Sequence, residues 1–311
     1  MLFIDRADAK KVSQPHAMNA IMPYMMRGRN ESAVYYEKEI DMENALRYVR
    51  AKNSTLRDSS KADQPSSVKS DASDLTLDRY SLFALILSAG VRTVALRPML
   101  NRFIHRRSLY QRKNLSFSFI VKQRMTDEAP EANAKVFFEA EDGLEEVTHK
   151  VNEAIRYARL NGEGDGERIA KFFHAIPGGK ALIMSLYRLA DHLNLAPWAL
   201  IKTDPLFSTA YFANLGSLGL DTPFHHLYEW GNASFFVVVG KLFQKETRHG
   251  TTTTRRHLIN FKVTIDERVA DGFYFASAAS LFYKFLTHPE YLEKPLSELE
   301  AVFSSGVSAI D

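Results

Sequence analysis

Apolar positions fall in short clusters whose spacing changes along the chain. Ala17–Met26, rich in Met and Ala, predicts a helix, and Val34, Tyr35 and Tyr36 within Ala33–Ile40 predict a strand. Asp41 is placed to cap a helix over Met42–Lys52, with Glu43 in its first turn, where a carboxylate suits the positive end of the helix dipole. From Asn53 to Ala72 Ser, Lys and Asp dominate, Pro65 interrupts, and the apolar period is lost, so a mobile surface loop is expected over about 53–76. Asp74 or Thr76 is the expected cap of a helix running to about Leu96, which Arg97-Pro98 ends.

Period-two patterns follow. Leu109–Tyr110 and Leu115–Val121 read as strands, the latter alternating Ser116 and Ser118 with Phe117 and Phe119. Lys135–Ala140 predicts a strand, Glu145–Leu160 a helix, Asn161–Gly166 a turn, and helices continue to about Ile201. Ala210–Asn214, Ala233–Val239 and Arg255–Ile265 predict strands. The second of these is apolar on both faces and so belongs in a sheet interior. Phe273–Phe285 predicts a helix, and the small polar tail from Ser304 is expected to fray. The pattern implies an α/β sandwich with one mixed sheet, as a single domain over residues 1–311.

Composition narrows the chemistry. The 311 residues, 45% of them hydrophobic, suffice for a well-filled core. A formal charge of +3 gives no global sign of nucleic-acid binding. The chain has no cysteine, which excludes disulfides, thiolate metal sites and a cysteine nucleophile, and fits a reducing cytoplasm. Met1–Lys11 lacks the apolar run of a signal peptide, and Tyr80–Val91 is shorter than the ~20 residues that span a bilayer, so no membrane association is expected.

Charge is unevenly distributed. Tyr80 to Thr126 has no Asp or Glu but carries Arg92, Arg97, Arg102, Arg106, Arg107, Arg112, Lys113, Lys122 and Arg124, and Asp127–Glu167 is then acidic. The basic run fits either a polyphosphate or acidic-partner site, or complementary charge packing. No P-loop is present. His249 and His257 flank Thr251–Thr254 without a third ligand, so no metal is expected, and His174 and His192 read as surface or packing residues.

Four segments carry a resemblance. Arg97-Pro98-Met99-Leu100-Asn101 is similar to a P-x-L-N turn, Ala213–Gly219 to S-N-L-G-x-x-G, Ala233–Gly240 to an A-I-L-G-V-G strand, and Asp266-Glu267-Arg268-Val269-Ala270-Asp271-Gly272 to D-H-R-x-x-D-G. In this order they resemble the catalytic domain of dihydrolipoamide acyltransferases, core subunits of 2-oxoacid dehydrogenase complexes. The last segment contains the H-x-x-x-D-G shared with chloramphenicol acetyltransferase. The resemblance covers roughly Ala17 to Leu292, without a lipoyl attachment site or a peripheral-subunit-binding domain. It implies a chloramphenicol acetyltransferase-like fold, coenzyme A or acyl-CoA as cofactor, an unspecified small-molecule acyl acceptor, and a homotrimer whose channel lies between subunits.

Two departures fall on the chemistry the resemblance implies. The general-base histidine is replaced by Glu267, and the hydroxyl residue that bonds the tetrahedral oxyanion by Ala213, beside Asn214. Against a thiol, an ordinary Glu is a weaker base than His by about 2 pKa units, or roughly 3 kcal/mol. A lost oxyanion donor adds about 2.7–4 kcal/mol. Glu267 is therefore a structural residue of a retired site, a working base or acid, or a ligand-binding group. His226 or His225 is a candidate surrogate base, or packs in an aromatic cluster with Phe224, Tyr228 and Trp230. In the family the aspartate matching Asp271 pairs with an arginine, here Arg6, Arg27, Arg29 or Arg268, and the glycine matching Gly272 permits a tight turn. The rival to a feebly active or inactive acyltransferase is a non-catalytic trimeric assembly or ligand-binding protein.

Overall fold

The computed structural model describes residues 5–62, 79–122, 131–161, 179–249 and 252–303. Its strands are β1 (Ala9–Lys11), β2 (Ala33–Asp41), β3 (Arg102–His105), β4 (Ser108–Arg112), β5 (Leu115–Lys122), β6 (Glu131–Phe138), β7 (Ala210–Asn214), β8 (Phe235–His249) and β9 (Thr252–Asp266). Its helices are α1 (Ala17–Met25), α2 (Glu43–Ala62), α3 (Leu82–Leu96), α4 (Leu144–Asn161), α5 (Gly179–His192), α6 (Trp198–Thr203), α7 (Gly272–Thr287) and α8 (Leu296–Phe303). Six strands form a mixed sheet in the order β2-β9-β8-β7-β5-β6, with β8–β7 and β7–β5 parallel and the other pairs antiparallel. A three-stranded antiparallel sheet, β1-β4-β3, lies beside it.

The layering follows from side-chain alternation along each strand. Phe117, Phe119, Phe212, Val237, Val239 and Phe261 are buried against Leu85, Leu87, Val147, Leu281 and Phe285 of the helical layer. Helix α3 is apolar nearly all round and is buried from Ala84 to Val94, as a central helix must be. The opposite sheet face carries a smaller cluster of Tyr211, Phe236 and Val238, covered by Leu227.

Three expectations need correction. Helix α2 runs to Ala62, through the first part of the expected loop. Asn53 explains why: its side chain donates to Tyr80 O at 2.8 Å and accepts from Tyr80 N at 2.9 Å, fastening the helix to the start of α3. The rest of that loop, with Asp74 and Thr76, lies outside the described residues, and the cap of α3 is Ser81, whose Oγ accepts from Ala84 N at 3.0 Å. Strand β8 continues past Val239 as a ribbon paired with β9. The ribbon has no apolar face to reveal it, and charge pairs hold it: Arg255–Glu246 at 2.6 Å, Lys245–Glu39 at 2.5 Å and Arg256–Asp41 at 2.8 Å.

Beside the small sheet is a buried polar cluster. Arg6 is 2% exposed and pairs with Asp8 and Asp191, each at 2.8 Å. Arg112 donates to the Asn232 side chain at 2.6 Å and to Asn232 O, and stacks over Phe103 at 4.4 Å. Much of the basic run is spent this way. Arg92 bonds Ala140 O and Lys294 O, Arg97 bonds Ser277, Arg102 bonds Gln111, and Lys113 bonds Arg6 O and Ala7 O. Complementary packing, rather than one polyphosphate surface, accounts for these residues.

Candidate functional site

The signature segment turns from β9 into α7. Val269 and Ala270 are buried and anchor the turn. Arg268 forms a bidentate pair with Asp266, Nε to Oδ1 at 2.8 Å and Nη2 to Oδ2 at 2.7 Å, both side chains almost fully buried. The same guanidinium donates to Met26 O and Arg27 O, Ser32 Oγ donates to Asp266 Oδ1 at 3.1 Å, and Asn19 Nδ2 donates to Arg268 O at 3.2 Å. The turn is thereby clamped to α1 and to the start of β2.

Glu267 is held by its backbone, N to Ser32 O at 3.1 Å, with its side chain half-buried. It lines a cleft of about 580 Å³ together with His16, Asn19, Tyr36, Asp271, Gly272, Ser280 and Tyr283. That size suits a small-molecule site. Among the described residues the Glu267 carboxylate has no hydrogen-bond or salt-bridge partner.

Asp271 is the N-cap of α7, its Oδ1 accepting from Tyr274 N at 2.8 Å. Among the described residues it makes no arginine pair; in this signature Arg268 pairs with Asp266 instead. Of the other candidates, Arg6 pairs with Asp8 and Asp191, Arg29 donates to Tyr228 O and Trp230 O, and the Arg27 amide bonds Glu31. Gly272 is the first residue of α7, and a Cβ there would meet nothing within 4 Å, so neither space nor backbone within one chain demands glycine. The glycine of the N-L-G turn is different: a Cβ on Gly216 would lie 2.4 Å from Gly240 O, so the turn packs backbone to backbone on β8.

Within one chain these residues do not converge. Ala213 and Asn214 lie opposite Val238 and Val239 of β8, and Val239 lies opposite Phe261 of β9. From Phe261 to Glu267 the chain runs about 20 Å, at roughly 3.3 Å per residue. His225 and His226 are on the other side of the sheet. Ile265 lines the cleft, whereas its neighbour Thr264 points oppositely and donates to His225 O. His225 stacks on Phe236 with centroids 3.8 Å apart, and burial holds its pKa below the usual 6.5. His226 stacks on His225 and meets Tyr228 edge-on, its Nδ1 3.0 Å from Leu227 O, so both histidines belong to an aromatic cluster. His257 sits 2.7 Å from Glu43, and among the described residues no three His, Asp or Glu side chains gather to hold a metal. The cleft groups Tyr36, Ser280 and Tyr283 belong to no sequence motif, and only the fold brings them to Glu267.

Comparison with solved structures decides the architecture. A probable dihydrolipoamide acetyltransferase from Listeria monocytogenes 4b F2365 superposes with a TM-score of 0.56 at 14% identity, over 92% of this chain and 98% of its own. The dihydrolipoamide acetyltransferase (E2p) of Azotobacter vinelandii, investigated for the roles of a serine, a histidine and an asparagine in its mechanism, gives 0.55 at 13% identity over 90% and 94%. The chain has the fold of a dihydrolipoamide acetyltransferase core. The cubic core of the pyruvate dehydrogenase multienzyme complex agrees, with a TM-score of 0.54 at 14% identity over 90% and 94% of the two chains. No family model and no curated protein sequence matches. The likeness is therefore one of fold, at 13–14% sequence identity. Among the described residues no helix is long and apolar enough to cross a membrane.

Proposed function

We propose that the chain is an acyl-CoA-binding, acyltransferase-like protein that works as a homotrimer in the cytoplasm and has little or no transfer activity. The observation that carries this reading is the placing of Glu267: its carboxylate is unpartnered in a ligand-sized cleft, on the fold of acetyltransferase cores, yet about 20 Å along the sheet from Ala213 and Asn214. A site using both groups needs a second copy of the chain to supply one of them. An acyl-CoA would supply the thioester whose acyl group is transferred. The cleft lining has no Lys or Arg, so it suits the uncharged thioester and pantetheine arm and leaves the phosphates outside.

Glu267 would take the proton of a thiol, hydroxyl or amine acceptor, as a weaker base than histidine. Ala213 offers an oxyanion a methyl group where a hydroxyl would stabilise it. These two losses also favour a second reading, a trimeric binding protein without turnover. Calorimetry with CoA and acetyl-CoA, with light scattering on the same sample, tests the proposal. Binding of the thioester and a mass of three chains are expected; a monomer that ignores both ligands overturns it. Acetyl-dependent release of CoA thiol with a dithiol acceptor separates a slow enzyme from a binding protein.

A further inference from the structure

We infer that the Glu267 cleft continues into an apolar pocket that receives an acyl chain of about four to six carbons, a size set by comparison with benzene-binding cavities. This rests on the reading of the cleft as an acyl-thioester site. Between the sheet and helices α3 and α7 lies an apolar cavity of about 120 Å³. It shares Tyr36, Ile265, Phe275, Ala279 and Tyr283 with the cleft, so the two spaces meet.

Protein interiors pack densely and hold few voids larger than a water molecule, so a cavity of this size opening beside an unpartnered carboxylate calls for an occupant. An apolar cavity of about 150 Å³ stays dry and takes up benzene. The walls are Phe117, Phe212 and Phe261, and small residues, Ala210 and Ala278, leave the space. The polar groups in the lining are spoken for. Thr93 Oγ1 donates to Ala89 O and Thr209 Oγ1 to Asn101 Oδ1, both at 2.7 Å. Tyr36 and Tyr283 both stand where cavity and cleft join. A chain inside meets hydrocarbon alone, while a polar head stays at the tyrosines and Glu267. This arrangement, apolar within and polar at the mouth, fixes an acyl thioester tail-first.

The test is calorimetry of CoA and its acetyl, butyryl, hexanoyl and octanoyl thioesters, with hexanoate as a separate probe. Affinity is expected to rise about fourfold per added methylene and to level off near six carbons. Ala278→Leu, which fills the cavity, is expected to flatten the series, with a melting curve to confirm folding; the wild-type slope decides the matter even if that variant fails to fold. If CoA and every thioester bind with equal affinity, the pocket is overturned and the acyl-CoA reading stands. If no CoA compound binds but hexanoate does, and Ala278→Leu loses it, the pocket stands and the acyl-CoA reading falls. If neither the longer thioesters nor hexanoate bind, the pocket is overturned.

Discussion

Arg268 and Asp266 form a bidentate ion pair with side chains 2% and 1% exposed, at the turn that carries Glu267 into the cleft. Removing one partner of such a pair leaves an uncompensated buried charge. Arg268→Met is therefore expected to destabilise the fold by about 3–5 kcal/mol, read from the urea midpoint. Asp266→Leu with Arg268→Met should recover part of that loss, because no lone charge remains. A single variant within experimental error of wild type would remove the pair from the architecture of the turn.

Repair of the site requires two changes. Glu267→His alone leaves the oxyanion without a hydroxyl, and Ala213→Ser alone leaves the acceptor without a matched base. The double variant should exceed the combined effect of the singles in releasing CoA from acetyl-CoA to a dihydrolipoamide-like dithiol, since base and donor act on one transition state. If wild type is the fastest and Glu267→His abolishes its activity, Glu267 is itself the working base.

Lys135 titrates far from its usual range. Burial pulls it from 10.5 down to about 7, while its Nζ donates to Ile201 O at 2.7 Å and Asp204 O at 3.1 Å. Between about pH 7 and 10.5 the unfolded chain holds a proton that the folded chain has released, so this group's contribution to stability rises with pH across that window and is lost as pH falls through 7. The slope is at most about 1.4 kcal/mol per pH unit. Comparing pH-dependent unfolding of wild type and Lys135→Met isolates it; parallel curves would refute the shift.

His105 shows the same logic in acid. Burial, with Arg6 and Arg106 nearby, holds it at about 3 rather than 6.5, so its contact with Asp191 at 3.7 Å is not an ion pair at neutral pH. Its contribution to stability is full above pH 6.5 and falls away towards pH 3. A chemical-shift titration should find the His105 ring neutral at pH 5, and a ring charged at that pH would contradict it.

Gly216→Ala should cost about 1–3 kcal/mol by overpacking, since the new methyl would meet Gly240 O at 2.4 Å. Gly272→Ala meets nothing within the chain and should leave monomer unfolding unchanged. Equal effects at the two positions would invalidate this contrast.

The helical layer and the sheet interior were legible because burial imposes a period: Phe117 and Phe119 alternate with Ser116 and Ser118, and Val237 to Val239 are buried on both faces. β1, β3 and the outer β8–β9 ribbon were not, since they are short or held by backbone and charge pairs that leave no apolar stripe. Glu267 and Ala213 were found through motif positions. Pattern carries no distance across a sheet, so their separation in one chain was invisible. The pairing of Arg268 with a residue two positions away was hidden by the expectation of a partner at Asp271.

Strand order also sets a timetable. β2 is made early, yet its sheet neighbour is β9, so Ala33 finds its opposite residue only when Asp266 exists. During synthesis, which proceeds from the N-terminus, β2 has no strand to join and the sheet cannot be completed before nearly the whole chain has emerged. An open strand invites association with other nascent chains. The Glu37-Lys38-Glu39 run in its middle puts alternating charges on that waiting edge, so the strand is guarded by its own polar residues until β9 arrives.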